Sequence, residues 1–263
     1  MLLAGFAVGL EPQVLGRRAA GSQFVGVAGF LFAGPVSAAL EEPKATSLVA
    51  LELGGGMSDT LEIELYGESA PASVAAFLDL ARGTLKAPCS EASEDLSPSR
   101  VKSNRRALEY ECLDNLGEGV GLLDSLLWRI VPNFRVDMGR VPSRFANREA
   151  PAVEPETNNL RHRRGAVSVR RGGKAFEFTL APRDNPDLDD EPLVVIGQVR
   201  NLAVLDALND IPSKRSPFDS KVPPLGSNFA RACEYSAPDP TCAQFKPLRK
   251  VYINRVSITD LSK

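Results

Sequence analysis

Residues 126–140 read LLWRIVPNFRVDMGR. Apolar residues stand on both sides of Arg129, and a guanidinium is costly to bury without a partner. Pro132 then interrupts the run, Phe134 follows, and Arg135 and Arg140 come within the next six residues. Two readings compete for Arg129. It caps a core with a packed aliphatic stem, or it is the working group of a groove that receives a peptide.

The segments on either side set the architecture. LVALEL and DTLEIELY flank GGGMS, and in the second of these Leu61, Ile63 and Leu65 alternate with Glu62 and Glu64. That alternation predicts a half-buried antiparallel hairpin. SAPASVAAFLDLARG places Pro71 in a first helical turn, puts Val74, Phe77, Leu78 and Ala81 on one face, and stops at Gly83. GAVSVRRGGKAFEFTLA predicts two short strands around Gly172-Gly173. Leu193–Val199 is an apolar strand, and NLAVLDALNDI is a second short amphipathic helix. In KVYINRVSITDL the apolar parity changes between Ile253 and Val256, which predicts a bulge near Asn254-Arg255. Many short strands, two helices and no βαβ rhythm indicate an all-β fold, a closed barrel with helical plugs.

Composition removes several classes of function. The chain has 263 residues, 43% of them hydrophobic, enough for one sizeable domain. A net charge of −2 gives no general attraction for nucleic acid. A single histidine, His162, and four cysteines without CxxC spacing argue against a metal site. No Gly-rich phosphate loop occurs, and no cofactor is expected.

The first forty residues differ from the rest, with Glu11, Arg17 and Arg18 their only charges. The twin arginines precede an apolar, Gly- and Ala-rich stretch ending in small residues, the pattern of a cleavable export signal over residues 1–39. Its Gly, Ser, Gln and Pro content makes it a poor permanent membrane span. Export leads to a compartment where thiols pair. Cys89 and Cys112 flank a polar segment, and Cys233 and Cys242 bracket a Pro-containing turn. Two local bridges would pin two long loops, but four cysteines allow three pairings, and free thiols remain the alternative. Residues 86–118 read as a long irregular insertion in a domain spanning 40–263.

Taken in order, these elements resemble a cyclophilin, the peptidyl-prolyl cis–trans isomerase family. The matching residues are Ala70-Pro71 with Val74 and Phe77, then Arg129-Ile130, Pro132 and Phe134, then Gly165, Val167-Ser168, Phe176, Val194-Val195, Gly197 and Val199. The resemblance implies a closed eight-stranded antiparallel β-barrel capped by two α-helices. It also implies that Arg129 is the catalytic arginine and that Phe134 is the wall against which a proline ring packs. Such chemistry requires no nucleophile, so a lone histidine does not argue against it.

The departures from the family gather at the groove. After the phenylalanine the family has methionine, then glutamine and a Gly-Gly-Asp run; here stand Arg135, Val136, Asp137, Met138, Gly139 and Arg140. A carboxylate at 137 in place of the glutamine suggests a bidentate pair that holds the Arg129 fork away from a proline nitrogen. The A-N-x-G segment becomes Arg170-Arg171-Gly172-Gly173, and S-Q-F-F becomes Lys174-Ala175-Phe176-Glu177, unless a one-residue shift brings Phe178 into the pocket. The family's tryptophan and histidine appear as Leu188 and Leu193. The candidate substrate-binding positions are therefore Phe134, Asp137, Arg171, Ala175, Phe176, Leu188 and Leu193.

These substitutions point to an isomerase of reduced activity, or to a non-catalytic peptide-binding or assembly factor on the same scaffold. Arg135, Arg140, Arg144, Arg161, Arg163, Arg164, Arg170, Arg171 and Lys174 form a basic group that suits an acidic proline-containing client. The competing reading is a solvated surface whose charges pair with neighbours such as Glu149, Glu154 and Glu156. The twin-arginine signal and the altered groove suggest the thylakoid lumen, with a bacterial periplasm as the alternative.

Overall fold

The computed structural model describes residues 43–89, 112, 117–214 and 245–261. The expected signal over 1–39, the Cys233/Cys242 pair and most of the 86–118 insertion lie outside these residues. Among the described residues no helix is long and apolar enough to cross a membrane.

Strands β1 (Ser47–Gly55) and β2 (Thr60–Leu65) form the expected hairpin, with Val49 opposite Ile63 and Leu51 opposite Leu61. All four side chains are fully buried, and each such aliphatic contributes roughly 1.5–3 kcal/mol by leaving water. Helix α1 (Pro71–Arg82) begins on proline and ends at Gly83, whose φ of 74° closes a left-handed cap. Glu156 reaches its open N-terminus, accepting from the Ala72 and Ser73 N–H groups at 2.7 and 2.9 Å. The buried face carries Val74, Phe77, Leu80 and Ala81. Leu78 packs only at its margin, so the stripe is rotated from the expected one toward Leu80.

The remaining strands are β3 (Arg129–Val131), β4 (Arg135–Met138), β5 (Ala166–Arg170), β6 (Phe178–Leu180), β7 (Leu193–Val199) and β8 (Val251–Asp260). Helix α2 covers Leu202–Asn209 and buries Leu205 and Leu208. One antiparallel sheet contains all eight strands in the order β3-β4-β6-β5-β7-β2-β1-β8. The ladder has two ends, β3 and β8, where a fully closed barrel was expected. Isolated backbone bonds link the segment before β3 to β8, and β3 to the segment before β8: Asp124 N–H to Ile253 O, Ile253 N–H to Ser125 O, Leu127 N–H to Val251 O and Ile130 N–H to Phe245 O. The predicted bulge is present. Glu52 pairs with Arg255 and Leu53 with Ile253, leaving Asn254 as the extra residue.

Candidate functional site

The site is built on the β3–β4 hairpin. Its turn uses Asn133 at φ 58°, a conformation that asparagine tolerates better than most residues. The turn is tied to α2 by the Asn133 N–H, which donates to Asn209 Oδ1 at 2.8 Å. The register sets Arg129 directly opposite Asp137, and the next pairing sets Asp137 opposite Thr179 on β6. Three side chains from three strands therefore meet on one face.

Asp137 is 1% exposed and Arg135 is 5% exposed. One Asp137 oxygen, Oδ2, accepts from Arg129 Nε. The other, Oδ1, accepts from Arg135 Nε at 2.9 Å and from the Thr179 hydroxyl at 2.7 Å. Arg135 continues the chain, donating through Nη2 to Thr179 Oγ1 and through Nη1 to Glu191 Oε2, both at 2.8 Å. Burial alone would drive Asp137 toward its neutral acid, but Arg129, Arg135 and the Thr179 hydroxyl outweigh it and hold the carboxyl below its ordinary range. Burial likewise opposes the Arg135 charge, and Asp137 with Glu191 overcome that and raise its pKa. At Glu191 the balance reverses: desolvation exceeds the pull of Arg135, and its pKa is raised.

Arg129 uses only Nε in this network. The expected bidentate clamp is absent, because Asp137 spends its second oxygen on Arg135 and Thr179. Both Nη groups of Arg129 are without a hydrogen bond among the described residues, and 20% of the side chain remains exposed. Its guanidinium carbon lies 4.6 Å from the centre of the Trp128 ring, a cation–π distance. Trp128, the only tryptophan of the chain, thus supports the guanidinium on a side that Asp137 leaves open.

Phe134 is the residue expected to form an aromatic wall. It is half-buried and packs, with Leu160 and Leu193, on a small apolar cluster of Ala166, Ala181, Leu188 and Val195. Behind it, Asn185 donates to the Phe134 carbonyl at 2.9 Å, and Asp189 accepts from the His162 backbone and engages its ring Nδ1 at 2.8 Å. His162 is buried, and desolvation, only partly opposed by Asp189, lowers its pKa.

Several expected contact residues are placed elsewhere. Asp137 is too deeply buried to touch a substrate and instead orients Arg129. Leu188 is fully buried and forms the floor beneath the wall, not its surface. Phe176 belongs to the main core, and with Ala175 it lines a small cleft beneath α1 that also includes Ser73 and Phe77. Phe178 is also in the core, edge-to-face with Phe77 at 5.4 Å, so no register shift rescues a pocket phenylalanine. Arg171 is exposed and donates to the Leu193 carbonyl at 3.0 Å, leaving it at the rim. Leu193 is half-buried beside Phe134.

The basic group is also rearranged. Arg135 is interior, Arg161 faces Asp189, Arg164 grips Asp206 with two bonds, and Arg144 stands 3.8 Å from Asp124. These cations do pair with carboxylates, though with others than the glutamates named as examples, of which Glu156 caps α1 instead. Arg163 and Arg164 precede β5 while Arg170 ends it, so these cations stand at opposite ends of one strand. Thr179, Glu191 and Trp128 were not anticipated. Thr179 and Glu191 are distant in sequence from Asp137, and Trp128 was legible only as a neighbour of Arg129. Among the described cysteines, Cys89 and Cys112 form a disulfide, one of the two bridges suggested by spacing.

A sequence model described as cyclophilin type peptidyl-prolyl cis-trans isomerase/CLD matches residues 48–226. No curated protein matches the chain. Among solved structures, a cyclophilin type peptidyl-prolyl cis-trans isomerase from Cryptosporidium parvum is 14% identical, with 82% of this chain and 98% of that one covered and a TM-score of 0.48.

Proposed function

Because the chain belongs to the cyclophilin-type peptidyl-prolyl isomerase family, we propose that it turns Xaa-Pro bonds in exported or lumenal client proteins, with Arg129 as the catalytic residue and a lower turnover than an ordinary cyclophilin. The barrier is amide resonance, roughly 18–20 kcal/mol. A donor that bonds the proline nitrogen as it pyramidalises stabilises the twisted state above either planar form. A guanidinium suits this because it stays protonated and offers a rigid fork. The observation that carries the reading is the division of labour within Arg129: Nε is held by Asp137, while both Nη groups have no partner among the described residues. Phe134 supplies the surface for the proline ring.

Reduced turnover follows from the same network. A carboxylate sharing the Arg129 charge weakens its donation relative to the neutral glutamine of the family, and Leu188 and Leu193 replace larger rings. A protease-coupled or NMR exchange assay on an Ala-Pro peptide, beside an ordinary cyclophilin, tests this directly. Arg129→Ala should lower turnover about a hundredfold, the typical loss on removing one electrostatic donor. The double variant Arg135→Met, Asp137→Gln should raise it. A wild-type rate equal to the reference enzyme overturns the reduced activity, and a rate unaffected by Arg129→Ala overturns the assignment.

The buried charge network favours a second reading, a non-catalytic binding or assembly factor for proline-containing, acidic clients. Binding of such a peptide without any turnover would select it. The lumenal placement is supported by the twin-arginine pattern and by the Cys89–Cys112 bridge, since disulfides persist in oxidising compartments.

A further inference from the structure

Trp128 has a second cation beside it. The guanidinium carbon of Arg140 lies 5.8 Å from the centre of the same ring that Arg129 approaches to 4.6 Å. Arg140 is exposed and has no ion pair among the described residues. Its backbone is fixed, pairing with Leu126, just past Gly139, whose φ of 89° ends the regular strand. The family's run has an acidic residue where this chain has Arg140, so the sign of the charge is reversed at that point.

Charge does not balance around this ring. Arg129, Arg135 and Arg140 face Asp137 and Glu191, and both carboxylates are already committed, Asp137 to Arg129 and Arg135, and Glu191 to Arg135. Among the described residues no carboxylate pairs with Arg140 or hydrogen-bonds the Nη edge of Arg129. Along the hairpin, Phe134 stands at the turn, Arg129 in the middle and Trp128 with Arg140 at the far end. A proline seated on Phe134 therefore has its chain neighbour directed along the hairpin toward the Nη edge of Arg129, the Arg140 guanidinium and an indole.

We propose that Arg140, Trp128 and the Nη edge of Arg129 form a subsite for a carboxylate side chain flanking the proline, so that Glu-Pro or Pro-Glu peptides are the preferred substrates. This rests on the isomerase reading above and adds a substrate class to it. The indole supplies the flat apolar surface for the methylenes, and the two guanidiniums supply the charge. Carboxylate–guanidinium pairs at such a partly open site are weakened by salt.

The test compares peptides that differ only at the flanking residue, Glu, Gln or Lys, placed before or after proline. On the wild-type chain kcat/KM for Glu should exceed that for Lys by about fivefold in low salt on at least one flank, in line with the usual strength of an accessible ion pair. The ratio should shrink toward one in 0.5 M salt, and Arg140→Glu should invert it. Equal values for Glu and Lys on both flanks overturn the subsite, even if the enzyme is active. If no peptide turns over, the isomerase reading fails, and the subsite is judged by binding alone. Trp128 emission should then respond to the Glu peptide and not to the Lys peptide, and identical responses would reject it. Should Arg140→Glu not fold, the wild-type ratio and its salt dependence decide the matter.

Discussion

The hairpins β1–β2 and β3–β4 are built from the same backbone pairing but treat their outer faces in opposite ways. In β2 burial alternates without a break, with Leu61, Ile63 and Leu65 inside and Glu62 and Glu64 at the surface. In β4 all four residues, Arg135, Val136, Asp137 and Met138, are buried. Val136 and Met138 join the core, while Arg135 and Asp137 are enclosed on the other face by Thr179 and Glu191. Charges on the first hairpin are tuned for water; those on the second depend on one another.

That contrast predicts where substitutions hurt. Removing one member of a buried pair leaves an uncompensated charge, typically at a cost of about 3–5 kcal/mol. Urea unfolding of Asp137→Ala should show a loss of that size, and a loss below about 1 kcal/mol would mean that the network is open to water. Replacing both charges by the family's residues, Arg135→Met with Asp137→Gln, should recover most of the stability, because buried ion pairs are often replaceable by apolar groups of similar volume. Failure of the double variant to exceed the single one would show that the network contributes more than mutual compensation.

A smaller effect comes from His162. Burial lowers its pKa from the ordinary 6.5, so below that pH the unfolded chain takes up a proton that the folded chain resists. Stability contributed by the neutral ring is therefore lost as pH falls below 6.5. Glu191 acts in the opposite sense, since its raised pKa favours the fold as pH falls. Comparison of wild type with His162→Gln between pH 7.5 and 5.5 isolates the ring: the wild type should lose more stability across that interval. A parallel decline in both proteins would assign the pH effect elsewhere. At the low end of the scale, Glu64→Ala on the open face of β2, where the nearest cation is Arg200 at 3.8 Å, should shift the unfolding midpoint by no more than about 0.5 kcal/mol.

Phe134 and Leu188 show how two residues expected at one site can end in different places. Both were assigned to the groove, and both belong to the cluster that forms its wall. Only Phe134 has surface left to offer, because Leu188 is fully buried against Ala166, Ala181 and Val195, which other segments supply. Burial depends on what another segment places on top of a residue, and a one-dimensional pattern carries no record of that segment.

The strands, the helix that starts on Pro71, the left-handed stop at Gly83 and the extra residue at Asn254 were all determined by local sequence. Each rests on periodicity or on the restricted backbone of a single residue type, which neighbours a few positions away already set. Tertiary structure alone decided that Arg135 is interior, that Thr179 completes the carboxylate's hydrogen bonds, and that Arg129 is held through one nitrogen. Those outcomes follow from strand order and register, which bring residues 42 to 56 positions apart into contact, and a charge is stable inside a protein only where such distant partners arrive together.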